Sequence, residues 1–190
     1  MKLHIDDVVD VRLAKPQDQA KIIKIQLDAL KFLAAKDYNE EQLEALLANK
    51  RMPRDSDEII FIAEVDRQVV GFASLLSSFN TIGAVFVDPN FVRKGVGSRL
   101  LAKIEQEARK HGAPILWVCS SLTGYNFYKA NGYRTLLSTV LPLDSTYIPC
   151  KQMKKRILPV TTREIFDEVS QLVMVMAVMI LMVSFFAQFR

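Results

Sequence analysis

The sequence of 190 residues predicts an α/β (α+β) fold in which helices flank one mixed β-sheet, with an apolar helix appended at the C-terminus. In the first half, two strand-like segments are joined by a short polar turn, which predicts a hairpin. In the second half, strand-like and helical segments alternate, which predicts a mixed sheet. After Pro159 the composition changes abruptly. We therefore expect a globular domain at residues 9–158, a linker and helix start at 159–168, and an apolar helix at 169–189.

Charge and composition exclude several classes of function. The formal net charge is +4, which is too weak and too scattered to predict a nucleic-acid partner. The two cysteines, Cys119 and Cys150, come without an N-terminal secretory signal, so we expect a reducing compartment and two buried thiols. His4 and His111 belong to no set of residues with metal-ligand spacing, and no metal site is predicted.

A strand and two helices are predicted before the hairpin. Residues 9–13 alternate between apolar and polar, and Pro16 is well placed in the first turn of a helix. The inner face of that helix should carry apolar residues three and four positions apart: Ala20, Ile23, Leu27, Leu30 and Ala34. Asn39 can cap a second helix, whose inner side has Leu43, Leu46 and Leu47.

The hairpin consists of residues 59–63 and 69–76, with the short polar segment 66–68 between them. A further strand, 82–87, leads through Asp88 and Pro89 into the basic, glycine-spaced loop 93–98. An amphipathic helix follows, with Leu100, Leu101, Ile104 and Ala108 on one face. A glycine loop before a helix is often only a turn.

The order strand, glycine loop, helix is also how a backbone binds an anion. The first N–H groups of a helix point outward, the helix dipole adds partial positive charge, and glycine lets the ligand come close. Arg93 and Lys94 add full positive charges beside these groups. The stretch therefore predicts a pyrophosphate bound at the helix N-terminus.

The rest of the sheet is predicted from shorter signals. The amphipathic helix should end at His111 and Gly112. Residues 115–119 are all apolar, which is typical of a strand covered on both faces. Thr123 can cap a short helix that closes at Gly132, and residues 133–140 and 150–157 are the last two predicted strands.

Two motifs identify a family. The order V-D-P-x-x-x-R-K-G-V-G-S-x-L-L, from Val87 to Leu101, resembles the acetyl-CoA-binding motif of the GNAT superfamily of N-acetyltransferases. It differs from a dinucleotide fingerprint, which requires a third glycine and a later acid. A second stretch, Ser121 to Tyr133, resembles the F-Y-x-x-x-G-[FY] segment near the end of the same domain. The resemblance covers residues 9–158 and implies a mostly antiparallel sheet, acetyl-CoA as co-substrate and a primary amine as acceptor.

The resemblance also implies roles for particular residues. Tyr128 occupies the position of the general acid that protonates the departing thiolate; a helix tyrosine packed beside Phe127 is the alternative. A backbone N–H near Phe86 or Val87 would polarise the thioester carbonyl. The full set expected to bind the cofactor is Phe86, Val87, Val92, Arg93, Lys94, Gly95, Val96, Gly97, Ser98 and Ser121. The acids at 37, 40, 41 and 44, with Tyr38, could attract an amine or could belong to a solvated helix face.

Three positions depart from the family pattern. Val92 stands where Gln or Arg is usual, and Ser121 where an asparagine often contacts the cofactor. The strand 82–87 contains no carboxylate, although many relatives keep a glutamate there that helps to deprotonate the amine. No general base is assigned from the sequence. A non-catalytic module of GNAT fold that binds or senses acyl-CoA is therefore the alternative function.

The C-terminal run 169–189 predicts a single membrane span. Its 21 residues reach about 31 Å as a helix, close to the ~30 Å hydrocarbon core, and it has no polar face. Several cations precede the span and only Arg190 follows it: Lys151, Lys154, Lys155, Arg156 and Arg163. The positive-inside rule then places the catalytic domain in the cytoplasm. A helix that packs in an oligomer, such as a homodimer, or that caps the domain is the alternative.

Overall fold

The computed structural model describes residues 9–48, 57–143, 146–163, 165–167, 169–171, 173–174 and 176. Its strands are β1 (Asp10–Leu13), β2 (Glu58–Val65), β3 (Gln68–Leu76), β4 (Thr81–Val87), β5 (Ile115–Ser121), β6 (Arg134–Leu143) and β7 (Thr146–Arg156). Its helices are α1 (Gln19–Ala29), α2 (Glu40–Ala48), α3 (Val96–Lys110) and α4 (Tyr125–Ala130), and one π-helical turn (Leu30–Ala34) continues α1.

All seven strands belong to one sheet, in the order β1-β2-β3-β4-β5-β7-β6. Neighbouring strands are antiparallel except β4 and β5, which are parallel. The predicted mixed, mostly antiparallel sheet flanked by helices is therefore confirmed.

The sheet buries both of its faces because its central strands alternate between two sets of apolar side chains. Phe61, Ala73 and Leu75 face α3, and its residues Leu100, Leu101 and Ile104 complete that core. Ile62 and Phe72 point the other way, against Ile22 and Ile25 of α1.

The predicted inner face of α1 is wrong before residue 30. The buried residues are Ile22, Ile25 and Ala29, whereas Ala20 is exposed and Ile23 and Leu27 are only half-buried. Leu30 and Ala34 are buried as predicted. A π-helical turn holds more residues than an α-helical turn, so the stripe before Leu30–Ala34 is out of register with the stripe after it.

Asn39 caps α2 as predicted, because its side-chain oxygen accepts a hydrogen bond from the N–H of Gln42 at 2.8 Å. The hairpin between β2 and β3 is tighter than predicted. Only Asp66 and Arg67 form its turn, with φ values of 50° and 65°, and such a left-handed pair matches the twist of the flanking strands.

Strand β5 is covered on one face only, so the prediction that both faces are covered is wrong. Leu116 and Val118 are buried towards α3, but Cys119 and Ser121 are exposed on the opposite face. Cys150 is buried as predicted, whereas Cys119 is exposed, so the prediction of two buried thiols is wrong for Cys119. The Cys119 and Cys150 Sγ atoms lie 2.8 Å apart. Burial, together with this contact, raises the pKa of Cys150 to about 12.

Residues 158–190 form a second unit, separate from residues 1–157. The described residues between 162 and 176 are helical. Most of the predicted span 169–189 lies outside the described residues. Within the described part of the chain, no helix is long and apolar enough to cross a membrane.

An ion-pair cluster joins the first strand to the first helix. Arg12 donates two hydrogen bonds to the buried carboxylate of Asp18, at 2.8 and 3.1 Å, and a third to Glu64 at 2.7 Å. The N–H of Lys15 also donates to Asp18, at 2.7 Å. The hydrogen bonds from Arg12 are the largest of the effects that lower the pKa of Asp18. A carboxylate with a lowered pKa stabilises the folded state above its unfolded pKa and stops doing so as the pH falls.

We expect Asp18→Asn to destabilise the protein by about 1–3 kcal/mol at pH 7, because the guanidinium loses its charged partner. The difference from wild type should shrink below about pH 3.9, the unfolded pKa of Asp, and vanish below the folded pKa. Urea denaturation at several pH values measures this. Asp28→Asn is the matched control, since Asp28 pairs with the exposed Lys24 and should show no measurable loss. A loss at pH 7 that persists unchanged below both pKa values would contradict the electrostatic explanation.

Candidate active site

The cleft of the molecule forms where β4 and β5 separate. The two strands pair only at Thr81 with Trp117 and at Ile82 with Val118. Beyond this point β5 continues to pair with β7, along its whole length, whereas β4 pairs on its other side with β3. Residues 83–87 of β4 therefore have an open edge, and parallel neighbours that diverge leave room for an extended ligand.

A β-bulge at Gly83 marks the point of separation. Ala84 lies opposite Ser74 and Ile82 opposite Leu75, so Gly83 has no partner in β3. Gly83 is exposed, although its neighbours Ile82 and Ala84 are buried. Gly83 belongs to neither of the two sequence motifs. A glycine inside a strand was the available signal, because it often marks a bulge or a close approach.

The ladder between β3 and β4 decides which amides face the open edge. The N–H of Asp88 donates to the carbonyl of Val70 at 2.8 Å, so it points towards β3. The N–H groups of successive residues in a strand point to opposite edges of the strand. The N–H of Phe86, two residues before Asp88, therefore also points towards β3. The N–H groups of Val85 and Val87 point into the cleft. Of the two predicted donors, Val87 has the required direction and Phe86 does not, and Val85 is an additional donor.

Beyond β4, the glycine loop has the backbone geometry of an anion site. Arg93 and Gly95 both have positive φ, at 62° and 78°. Gly95 is the N-cap of α3, and no side chain caps the helix there. The first hydrogen bond within the helix runs from the N–H of Arg99 to the carbonyl of Gly95. The N–H groups of the first turn, which precede Arg99, therefore have no acceptor within the helix. These groups fit a diphosphate.

The loop side chains divide into exposed and buried groups. Arg93, Lys94 and Ser98 are exposed, and the Lys94 Nζ lies 4.9 Å from the centre of the Phe91 ring. Val92 is half-buried. Val96 is buried in the core, so only its backbone is available to a ligand.

Gly97 connects the glycine loop to the second motif. A Cβ atom at Gly97 would lie 3.2 Å from Cε2 of Phe127, which shows that the first turn of α3 contacts α4. Tyr128 is the next residue of α4, and its ring packs edge-on against Phe127 and Tyr133, with centroids 5.1 and 5.5 Å away. The structure thus brings Tyr128 close to the predicted pyrophosphate site at the N-terminus of α3.

Tyr128 is 6 % exposed, and burial raises its pKa above the ordinary value of a tyrosine. Its hydroxyl makes no hydrogen bond within the described residues. Among those residues, the only side-chain oxygen that is fully shielded from solvent and lacks a hydrogen-bond partner is the Ser74 Oγ. The Tyr128 hydroxyl is therefore not fully enclosed. At neutral pH the phenol is protonated, as that of an ordinary tyrosine is. The raised pKa widens the gap to a thiol pKa of about 8.5, which the ordinary value of about 10 would leave small.

Ser121, at the end of β5, is exposed. Its Oγ accepts a hydrogen bond from the N–H of Gly124 at 3.0 Å, which fixes the turn into α4. Gly124 is the N-cap of α4, so the prediction that Thr123 caps this helix is wrong. Thr123 instead donates to the carboxylate of Asp37 at 2.6 Å.

The segment between α1 and α2 lies against the β5–β7 end of the sheet through polar contacts. The hydroxyl of Tyr38 accepts from the N–H of Leu122 at 2.9 Å and donates to the carbonyl of Pro149 at 3.4 Å. Burial raises the pKa of Tyr38. Asp37 is held by Thr123, and the acids of α2, Glu40, Glu41 and Glu44, are exposed. Asp37 and Tyr38 are thus engaged in structural contacts.

Asp88 is also engaged, because its carboxylate accepts from the N–H of Asn90 at 2.9 Å and from the side-chain amide of Asn90 at 3.1 Å. Among the described residues, no three His, Cys, Asp or Glu side chains gather where they could hold a metal ion.

Comparison with known proteins agrees with this geometry. Residues 27–157 match the family profile described as an acetyltransferase (GNAT) domain. The uncharacterized N-acetyltransferase YafP of Escherichia coli is 25% identical over 131 residues, which are 67% of this chain and 83% of that protein.

Two solved structures share the fold. A GCN5-related N-acetyltransferase from Rhodopseudomonas palustris has a TM-score of 0.74 and 28% identity, covering 78% of this chain and 96% of that one. The PaiA N-acetyltransferase from Thermoplasma acidophilum, in complex with coenzyme A, has a TM-score of 0.62 and 21% identity, covering 78% and 98%. Since the family profile matches well over half of the chain, the protein belongs to the GNAT family of acetyltransferases.

Proposed function

We propose that this protein transfers an acetyl group from acetyl-CoA to a primary amine by direct attack of the amine on the thioester. The observation that carries the proposal is the separation of β4 from β5, with an anion-binding helix start at the end of β4 and a buried phenol beside that helix start. A cleft with these three parts matches the three groups of an acyl-CoA: diphosphate, extended arm and thioester.

The backbone does most of the binding. The first-turn N–H groups of α3 bind the diphosphate, with Arg93 and Lys94 adding positive charge. The open edge of β4 pairs with the extended arm as a further strand would. The N–H groups of Val85 and Val87 polarise the thioester carbonyl and stabilise the oxyanion that forms on it.

Tyr128 supplies the proton for the leaving group. When the amine nitrogen bonds to the carbonyl carbon, the carbon–sulfur bond breaks and the thiolate receives the phenolic proton. The proton that the new amide nitrogen then loses restores the phenol. The phenol is neutral at pH 7 with or without burial, and the raised pKa makes it a weaker acid towards the thiolate. General acid catalysis of this kind contributes about 10²–10⁴-fold to a rate.

We expect Gly97→Glu to abolish coenzyme A binding, because the added side chain must displace the Phe127 ring 3.2 Å away and brings a negative charge to the helix start. Isothermal titration with coenzyme A measures this. Ala102→Glu adds the same charge on the exposed side of the same helix and should bind as wild type does. Normal coenzyme A binding by the Gly97→Glu variant would rule out the proposed diphosphate site at the N-terminus of α3.

We expect Tyr128→Phe to lower kcat by about 100-fold, because it removes the proton donor. Its melting temperature should stay close to that of wild type, since the hydroxyl makes no hydrogen bond within the described residues. Thiol release from acetyl-CoA with a panel of primary amines measures the rate.

Tyr125→Phe is the matched control on the same helix and should keep full activity, because the Tyr125 hydroxyl contacts Thr135 at 3.4 Å. Unchanged turnover in the Tyr128 variant would exclude the acid role. Tight coenzyme A binding by wild type, without transfer to any amine, would instead favour a non-catalytic acyl-CoA sensor. Strand β4 contains no acid, and Asp88, the residue after it, is engaged with Asn90, which is the observation on the side of that alternative.

We further propose that residues 169–189 anchor the enzyme to a membrane, with the catalytic domain on the cytoplasmic side. The nine Leu, Ile, Val and Phe residues between 172 and 187 favour insertion by about 3 to 5 kcal/mol. The described helical residues in this region include the exposed apolar side chains of Val169, Val173, Met174 and Met176. Lipid is one partner that would cover such exposed apolar side chains.

Deleting residues 160–190 should move the protein from the membrane fraction to the soluble fraction, and coenzyme A binding should be kept. Fractionation of cells that express either form measures this. A full-length protein that is soluble and monomeric would refute the anchor, and a soluble oligomer that the deletion dissociates would favour a packing helix instead.

A further inference from the structure

Two thiols lie side by side where the cleft begins. Val118 is the last residue of β5 that pairs with β4, so Cys119 is the first residue of β5 beyond the point of separation. Val118 is buried towards α3, and Cys119 therefore points to the opposite face of the sheet, where it is exposed. A small reagent in solution can reach this thiol.

The second thiol belongs to the neighbouring strand β7 and is buried. In the ladder between the two strands, Cys119 lies opposite Gln152, and Cys150 lies opposite Ser121. Because Cys119 and Ser121 share one face of β5, the two cysteines are diagonal neighbours on that face. Their Sγ atoms are 2.8 Å apart. A disulfide bond, in which the sulfur atoms are about 2.05 Å apart, requires a further approach of about 0.8 Å.

The fold, and not the sequence, brings these sulfur atoms together. The two cysteines are 31 residues apart in the chain. Cys150 pairs with β5 on one side and with Thr139 of β6 on the other, and the carbonyl of the preceding Pro149 accepts a hydrogen bond from Tyr38. The backbone on which the thiols are mounted is therefore held by the sheet, and joining them loses little further chain entropy.

The two thiols differ in reactivity. The thiolate is the nucleophilic form of cysteine, and oxidation follows thiolate character and exposure. Burial, together with the contact to Cys119, raises the pKa of Cys150 to about 12, so Cys150 is protonated at neutral pH and is closed off from solution. Cys119 is the thiol that an oxidant meets first. An exposed cysteine beside a second cysteine is the usual arrangement of a redox-sensitive pair.

We propose that Cys119 and Cys150 are a site of reversible oxidation by hydrogen peroxide, at which Cys119 is oxidised and Cys150 resolves it. The Cys119 sulfur attacks a peroxide oxygen, the oxygen–oxygen bond breaks, and water leaves, so that Cys119 becomes a sulfenic acid. The Cys150 sulfur then attacks the Cys119 sulfur, the sulfur–oxygen bond breaks, and a second water leaves. Two thiols are oxidised to one disulfide, and the peroxide is reduced to two waters that carry both thiol protons.

The disulfide is a transient state in the reducing compartment that the sequence predicts. Disulfides in such compartments are usually catalytic or redox-sensing, and a small thiol reopens them by exchange through a mixed disulfide. The inference is independent of the proposed acetyl transfer, because it uses neither Tyr128 nor the diphosphate site at the N-terminus of α3.

Oxidation of the full-length protein with hydrogen peroxide tests the proposal. The intact mass should fall by about 2 Da, because two hydrogens are lost, and dithiothreitol should restore it. Trypsin, which cleaves after lysine and arginine, places the two cysteines in the peptides 111–129 and 135–151. Without reductant these two peptides should be recovered as one cross-linked species, from protein that runs as a monomer on a denaturing gel.

Cys150→Ser and Cys119→Ser are the matched variants. In Cys150→Ser, the sulfenic acid on Cys119 has no resolving thiol, and dimedone should trap it. In Cys119→Ser, the buried thiol should be oxidised at least about tenfold more slowly than Cys119 is in Cys150→Ser, because it is protonated and enclosed. The cross-link in wild type is measured without either variant, so the main test does not depend on how well they fold.

Three results would overturn the proposal. The first is conversion of Cys119 to a sulfinic acid while Cys150 remains a free thiol. The second is a disulfide between two chains in place of one within a chain. The third is equal oxidation rates for the two single-cysteine variants, which would contradict the order of the two steps. Each of these results leaves the proposed acetyl transfer standing.

Discussion

The separation of β4 from β5 is the constraint on which the rest of the site depends. In a closed sheet, every backbone N–H and C=O of a central strand has a partner. Here β5 keeps its partner β7, and β4 keeps β3, but the edge of β4 beyond Ile82 has lost its neighbour. A ligand with its own extended, hydrogen-bonding chain restores that pairing. The bulge at Gly83 lies where the separation begins. The same backbone irregularity therefore marks the start of the cleft and leaves Gly83 exposed.

The sequence was sufficient at two places where a local rule decides the structure. The end of α3 at Gly112, which has φ of 75°, and the cap at Asn39 follow from short-range chemistry, and both were predicted. The inner face of α1 was not, because a single π-helical turn changes the register of the helix and leaves no sequence signal. Likewise, the apolar run of β5 is the same whether one face or two are covered, and only the divergence from β4 decides between them.

For the site, the motifs identified the helix start and Tyr128, but they did not give directions. Whether Phe86 or Val87 turns its amide into the cleft depends on the hydrogen-bonding register with β3, which the hydrogen bond from Asp88 to Val70 reveals. The pairing of Thr123 with Asp37 and the approach of Glu58 to Gly83 connect distant parts of the chain. Such contacts follow from the tertiary fold, and propensity or spacing cannot predict them.

The buried side chain of Val96 has a consequence for affinity. Its methyl group Cγ1 would lie 3.2 Å from a Cβ on Gly71 of β3, so the residue that begins α3 is fixed in the core of the sheet. The amides around it are therefore held in place by folding itself and are preorganised before any diphosphate arrives. Association then loses little loop entropy, and the free energy of each N–H contact is available for holding the ligand. By linkage, a ligand that binds these amides would also stabilise the folded state.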